Sequence, residues 1–526
     1  MQSQLPKIPE AKMRALTSEV QGSNLSLETQ QTLVELLKFC QNLGAFLVAQ
    51  EIKMEKLKRL AFEGKKTEKK KKAQLTLATS KATVPVAAGH GRKGASEYPG
   101  AERVIVDQHL QAGDCCPDCA RGKLYSMPEA SVLRFFGQAL INARVYELRR
   151  LRCSGCLIVK TAELPKEAGP DRHHPTASAT VALLNYGSGL PFYRMEGLQA
   201  NFGCPLSDAT QFEMSEKAAD RANPVYKALL QGAAQGHTLY HDDTKARILS
   251  LMKENESLDP KKDRTGVQTT GIVSELALTG GAKAKIDLYF SGRNHAGENL
   301  EDLLKQRSPH AQIPIQVADA ASSNFSGEFE SIVVKCLDHG RRKFTDIEAS
   351  FASECRFIIK KLGAVYHFDQ ITKDQKMASE ERLLFHQGHS TPVMNELNTW
   401  MEEKLQDREV EENSELGQAI RYFLKHWNGL TQFLRVPGAP LSNAEAERVL
   451  KRCVLRRKAS LFYRTEHGAQ IGDILMSVIE TARFAGLNIF EYLTDLQLFS
   501  HQVKANPEAW LPWNYKLTRA AVTAAG

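Results

Sequence analysis

The chain is poor in the features that mark several large protein classes. Ten cysteines in 526 residues are too few for a disulfide framework and suit a reducing compartment. No run reaches the roughly 18 apolar residues needed to span a bilayer. The opening MQSQLPKIPEAKMR lacks the apolar core of a secretory signal, so a cytoplasmic location without membrane contact is expected. Neither charge sign dominates, with 69 Lys and Arg against 61 Asp and Glu for a net +8. Such a balance excludes no partner, and where the positive charge sits matters more. At 42% apolar and 25% charged residues the composition is that of ordinary globular material. Its length allows about three or four domains with their own cores.

What is present begins with a heptad-like seam, Leu33, Leu36, Cys40, Leu43, Leu47, Met54, Leu57 and Ala61, broken once by the polar Gln50. Ser26 is a candidate N-cap, with Glu28 in the first turn. The seam reads either as a dimerising coiled coil or as one amphipathic helix on its own domain. Ten basic and three acidic residues lie between Lys53 and Lys72, ending in Lys69, Lys70, Lys71 and Lys72. That run can contact a nucleic-acid backbone or simply be solvated. A linker composition follows to about Ala101.

Cys116-Pro-Asp-Cys119 and Cys153-Ser-Gly-Cys156 form two CxxC pairs. Each short loop can aim two thiolates at one point, which suits a tetrahedral structural zinc with no open position for catalysis. From His173 to about Gly236 the pattern is helical, with a break at Gly203-Cys204-Pro205 and a new helix opened by Ser207 and Asp208. Two helices around a short turn fit a DNA-reading helix-turn-helix or an ordinary helical hairpin equally well.

Strand patterns then run through Thr238 to His241, Ala246 to Met252, Val267 to Leu276, Lys285 to Phe290, Ile313 to Ala318 and Ser331 to Cys336, with a helical stretch at Ala296 to Gln306. This order predicts a mixed α/β sheet covered by helices. Asp242 and Asp319 end two of these strands, and Glu447 lies on a helix beginning near Ser442. Carboxylates at neighbouring strand ends can converge on hard cations. Three of them can hold two magnesium ions for phosphodiester chemistry. Each has a plainer reading: Asp242 or Asp243 as a turn cap, Asp319 as a loop acid, Glu447 paired with Lys451. Glu447, Lys451, Val454 or Leu455, and Lys458 share one helix face. Arg448, Arg452, Arg456 and Arg457 add a basic band that can track a duplex. A long helical insertion, including Glu380 to Phe385, Val393 to Asp407 and Glu415 to Phe433, separates the last strand from this helix. Cys336 and His339 form a CxxH whose reading is structural.

These residues resemble transposases of the insertion sequence 66 type. The resemblance runs from Arg59 to Glu68, through the paired CxxC module and Leu190-Pro191-Phe192-Tyr193-Arg194, to the acidic motifs. His241-Asp242-Asp243-Thr244 resembles the family's Ala-Asp-Glu-Thr, and Val317-Ala318-Asp319 stands at its second Asp. Cys336 to Phe344 resembles Cys-Trp-Ala-His-x-Arg-Arg-Lys-Phe, and Asn443 to Arg448 resembles Asn-Asn-x-x-Glu-Arg. Arg457-Lys458 with Leu461-Phe462, and Leu511-Pro512-Trp513-Asn514, also match. Asp243 stands where the family has Glu, Ala444 where it has a second Asn, and no Gly-Tyr follows Asp319.

The resemblance implies a ribonuclease H-like core with catalytic Asp242, Asp319 and Glu447, two catalytic magnesium ions, and one structural zinc on Cys116, Cys119, Cys153 and Cys156. It implies double-stranded DNA partners, both transposon ends and target, with Lys69 to Lys72, Arg341, Arg342, Lys343, Arg448, Lys451, Arg452, Arg457 and Lys458 as contacts. A homodimer or higher assembly and element-encoded accessory proteins are further expected partners. The expected organisation is a coiled-coil helix with a basic tail (1–72), a linker (73–101), a zinc-binding domain (102–165) and a helical DNA-binding segment (166–236). A catalytic core (237–336 and 442–495), a helical insertion (337–441) and a C-terminal tail (496–526) follow. The alternatives are a catalytically inactive zinc-dependent repressor or architectural protein, and a stand-alone nuclease of the same fold.

Overall fold

The computed structural model describes residues 10–37, 39, 112–115, 123, 139–152, 154, 156, 159–169, 171–259, 263–278, 282–325 and 329–525. Most of the heptad seam, the run Lys69 to Lys72, and Cys116, Cys119 and Cys153 lie outside them. The short strands β1 (Arg150–Arg152) and β2 (Val159–Thr161) pair antiparallel, and the loop between them carries the second CxxC. Cys156, in that loop, is exposed. Among the described residues no helix is long and apolar enough to cross a membrane.

Beyond the N-terminal helix Glu10–Gln21, helices α1 (Pro175–Ala182), α2 (Phe192–Asn201) and α3 (Asp208–Ala234) lead into the sheet. The Ser207 hydroxyl accepts from the Thr210 amide at 3.3 Å and caps α3, as its place before an acidic first turn predicts. Met214, Ala218, Ala222, Val225 and Leu229 recur at helical spacing and are buried, so α3 packs one face along its length.

The five-stranded sheet has the order β5-β4-β3-β6-β7. Strands β3 (Thr238–Lys245), β4 (Gln268–Ala277) and β5 (Lys283–Gly292) form an antiparallel meander. After helix α4 (Ala296–Leu304), β6 (Ile315–Ala318) returns parallel to β3, and β7 (Ile332–Lys335) parallel to β6. The stretch Ala246 to Met252, expected as a strand, is not one. The chain leaves the sheet at Ala246, Ile248 makes a lone bridge to Tyr463, and Leu249–Glu254 turns into a short helix. Its alternating apolar residues satisfy a packing contact there, not a ladder.

Helices α5 (Leu337–Asp346), α6 (Ala352–Asp374), α7 (Ser379–Gln406) and α8 (Glu415–Lys425) follow, then α9 (Ala444–Ser460), α10 (Glu466–Phe484) and α11 (Ile489–Leu498). Two main buried clusters result. One joins the sheet, α1, α3 and α9 to α11, and includes Trp510, Leu511 and Tyr515 from beyond Leu498. The other is drawn from Leu337 to Leu441.

Alternation of side chains across the pleat assigns the faces. Ser274 bonds the Ala233 carbonyl of α3 at 2.7 Å, whereas Tyr289 bonds the Val449 carbonyl of α9 at 3.2 Å. The sheet therefore lies between α3 and α9. Its β5 edge is closed by α10: Asp473, Ser477 and Thr481 accept from the amides of Ser291, Tyr289 and Asp287 at 2.7, 3.0 and 3.1 Å. Four residues along a helix advance about 6 Å and two along a strand about 6.7 Å, so the two repeats match over this length. The edge amides that would otherwise template pairing with another chain are satisfied internally.

Candidate active site

Asp242 sits on β3 opposite Gly271 of β4. A Cβ at Gly271 would lie 3.0 Å from Leu450 and 3.3 Å from Val449. The missing side chain lets α9 approach this face, the one on which Asp242 lies, and Glu447 is less than a turn from those contacts. Leu239 pairs Gln316 and Tyr240 pairs Val317, so continuing the register sets Asp319 abreast of Asp242. Neighbouring strands are about 4.8 Å apart. The structure thus brings Asp242, Asp319 and Glu447 to one place where the parallel pairing of β3 with β6 ends, Asp242 lying inside β3, which continues to Lys245, rather than at a strand end.

The electrostatics agree. Burial pushes the Asp242 carboxyl up to about 7, and Asp319, Asp243 and Glu447 add their repulsion against one stabilising bond from the Asp243 amide. Asp319 Oδ1 accepts from the Ala321 amide at 3.0 Å and from Asn324, so it also orders its own turn. Glu447 keeps 41% of its side chain exposed and lies 3.8 Å from His339 Nδ1.

Asp243 faces the other way. It accepts from the Thr270 hydroxyl at 2.6 Å, the Ala296 amide at 2.9 Å and His295, and so caps α4. A carboxylate at a helix N-terminus is favourable without any ligand.

Two residues outside the predicted set hold the site together. The Asn443 side-chain amide donates to the His241 carbonyl at 2.9 Å, and its backbone amide donates to Cys336 Sγ at 3.2 Å. Cys336 also accepts from the backbone at Asp338 and His339, and burial pushes its thiol up to about 11. The end of β7 and the starts of α5 and α9 are thereby stapled beside Asp242. Cys336, His339 and Glu447 do offer ligand atoms within 4.8 Å of one another. A metal there would have to displace the thiol proton that burial favours, so the staple is the role these bonds give Cys336 in the metal-free fold. The CxxH and the Ser-Asn before α9 were the sequence signals for this staple.

The expected basic contacts divide. Arg448 forks onto Asp287 at 3.1 and 3.2 Å and pairs with Glu445, while Arg452 lies 3.6 Å from Glu480. Both charges are taken up by the fold, and Asp287 is still pushed up to about 6 by burial. Arg457 donates to Thr244, just beyond Asp242 on β3, and Arg456 is buried between Tyr186 and Tyr463. Lys451, Lys458 and Arg342 are exposed. Arg341 lies over Tyr366 and Lys343 over Tyr422, at 5.6 and 4.7 Å. Burial, Asp319 and Cys336 push Tyr422 up to about 12. The influence of Asp319 sets Tyr422, on α8, in the neighbourhood of that carboxylate.

A mixed α/β sheet with an acidic cluster where its parallel pairing ends, and a helix laid over it, defines the class of the molecule. Residues 172–471, more than half the chain, match the family described as transposase IS66, and the chain belongs to that family. Among curated proteins it is similar to uncharacterized protein y4jD of Sinorhizobium fredii (strain NBRC 101917 / NGR234), 26% identical over 78% of this chain and 80% of the relative. Uncharacterized protein y4hP of the same organism is 24% identical over 80% of this chain and 76% of the relative.

Proposed function

We propose that this transposase-family chain cleaves transposon ends and joins them to target DNA, with Asp242, Asp319 and Glu447 holding two magnesium ions. The observation that carries the reading is the gathering of three carboxylates around a half-buried Asp242, whose pKa is raised first by burial and then by the neighbouring negative charges, a repulsion that a divalent cation would relieve. All-oxygen donors of net negative charge fit magnesium. When bound, magnesium supplies Lewis acidity to the scissile phosphodiester and acidifies attacking water. The protein's share is to orient the carboxylates and the DNA for in-line displacement, first by water and then by the freed 3′-hydroxyl.

The strand order, with two parallel strands added to an antiparallel meander, supports a ribonuclease H-like core. Lys451, Lys458 and Arg342 remain proposed phosphate contacts, and Lys69 to Lys72 a further one. The zinc on Cys116, Cys119, Cys153 and Cys156, and pairing of two protomers through the heptad seam, belong to the same proposal. Strand transfer of an end-bearing duplex in magnesium, compared between wild type and Asp242→Asn, tests it. The reading requires joined product from wild type alone. Cleavage without joining would instead favour a nuclease, and specific binding without cleavage a repressor.

A further inference from the structure

Helix α9 ends in an unusual way. Leu461 has φ 69 and ψ −47, and the Phe462 amide donates to the Ser460 carbonyl at 2.9 Å. This is a γ-turn of positive φ centred on a branched side chain, a strained conformation that persists only where its surroundings impose it. They do so here. The Tyr463 amide donates to the Arg247 carbonyl at 2.8 Å, and the Leu249 and Ser250 amides donate to the Tyr463 and Arg464 carbonyls at 2.9 and 3.1 Å. The Tyr463 ring packs against Gly472, where a Cβ would lie 2.4 Å from its hydroxyl, and 4.3 Å from the buried Arg456 guanidinium.

What this clamped turn presents is apolar. Leu461 is 54% exposed and Phe462 39%. Around them stand Lys245, Arg247, Arg457, Lys458 and Arg464, and among the described residues none of these forms an ion pair with a carboxylate. Glu447, Lys451, Leu455 and Lys458 follow one helical stripe from the acidic cluster toward the turn. Apolar side chains held rigidly among unpaired cations suit a polyanion with apolar faces between its charges, which is what stacked bases under a phosphate backbone offer.

We propose that Leu461 and Phe462 form a wedge that enters the base stack of bound duplex DNA. The proposal rests on the DNA-processing reading above. The thirteen helical steps from Glu447 to Ser460, at about 1.5 Å each, put the turn on the order of 20 Å from Glu447, about six base pairs along a duplex. It would therefore act beside the cleaved bond, not at it.

The test places 2-aminopurine at successive positions of a duplex carrying the element's terminal repeat and reads fluorescence and anisotropy together. Wild type should bind and raise fluorescence at one or two adjacent positions. Leu461→Gly with Phe462→Ala, which relieves the strained turn and removes two partly exposed side chains, should lose that rise while Kd weakens by no more than about tenfold, with thermal melting confirming that the variant is folded. Phe462→Trp should keep it. Binding by wild type with no brightened position, or an unchanged rise in the double variant, overturns the wedge and leaves DNA binding intact. No binding at all overturns the DNA reading itself. Concentration-dependent self-association through these residues, abolished by the double variant without any fluorescence effect, would assign the patch to a second copy of the chain and also overturn the wedge.

Discussion

Asn443 and His241 are joined by a single 2.9 Å hydrogen bond from side-chain amide to backbone carbonyl, and it fastens the helix of Glu447 to the strand of Asp242. Asn443 is fully buried, so its removal leaves the His241 carbonyl without a donor. Asn443→Ala should cost about 1–3 kcal/mol of stability in urea unfolding. At temperatures where the variant is folded, strand transfer should fall further than DNA affinity. An equal fall in both would show that Asn443 does not position the acidic cluster.

Cys336 makes a related prediction. Serine keeps an acceptor for the Asn443 amide and alanine does not, so Cys336→Ser should melt close to wild type and Cys336→Ala about 1–3 kcal/mol lower. If zinc or cadmium instead bound wild type and stabilised it through Cys336 and His339, the staple reading would give way to a metal site.

The raised pKa of Asp242 sets a pH dependence. Its ordinary value is 3.8 and its folded value about 7, so between them the folded state holds the extra proton. Stability of the metal-free protein should therefore fall as pH rises through that window, by at most about 4 kcal/mol from this group. Asp242→Asn should flatten the fall, which double-variant controls separate from Asp473, raised to about 7 by its own burial. Magnesium should stabilise wild type more at the upper end of the window than at the lower. A parallel pH profile in Asp242→Asn would remove the carboxylate from the account.

Gly271 makes close approach of α9 possible, with Leu450 already 3.0 Å from where a Cβ would stand. Gly271→Val should displace the helix, cost about 1–3 kcal/mol by overpacking, and reduce strand transfer beyond the loss of folded protein. Unchanged activity would mean that Glu447 does not depend on this contact.

Much of this was legible in the sequence because it is local. Ser207 and Asp208 announce the start of α3, and the alternation around Leu239 and Ile272 announces strands. Asp319 directly follows β6 and Glu447 lies in the first turn of α9, as read from the sequence, whereas Asp242, read as ending its strand at His241, lies inside β3, which runs on to Lys245. The rest depends on partners distant in sequence. Ala246 to Met252 alternates like a strand, yet Ile248 meets Tyr463 more than two hundred residues away. Arg448 and Arg452 look like a free basic band until Asp287 and Glu480 arrive from β5 and α10. The spacing of Asp473, Ser477 and Thr481 is that of any polar helix stripe, and only the exposed edge of β5 gives it a purpose.

The central claim is that three carboxylates converge to hold the catalytic metal, and Glu447 is the one supplied from outside the sheet. Magnesium-dependent cleavage of an end-bearing duplex should be measured for wild type and Glu447→Gln, with DNA binding and thermal melting alongside. The account predicts a loss of about a hundredfold or more in cleavage with binding and melting retained. Full cleavage by Glu447→Gln would contradict it.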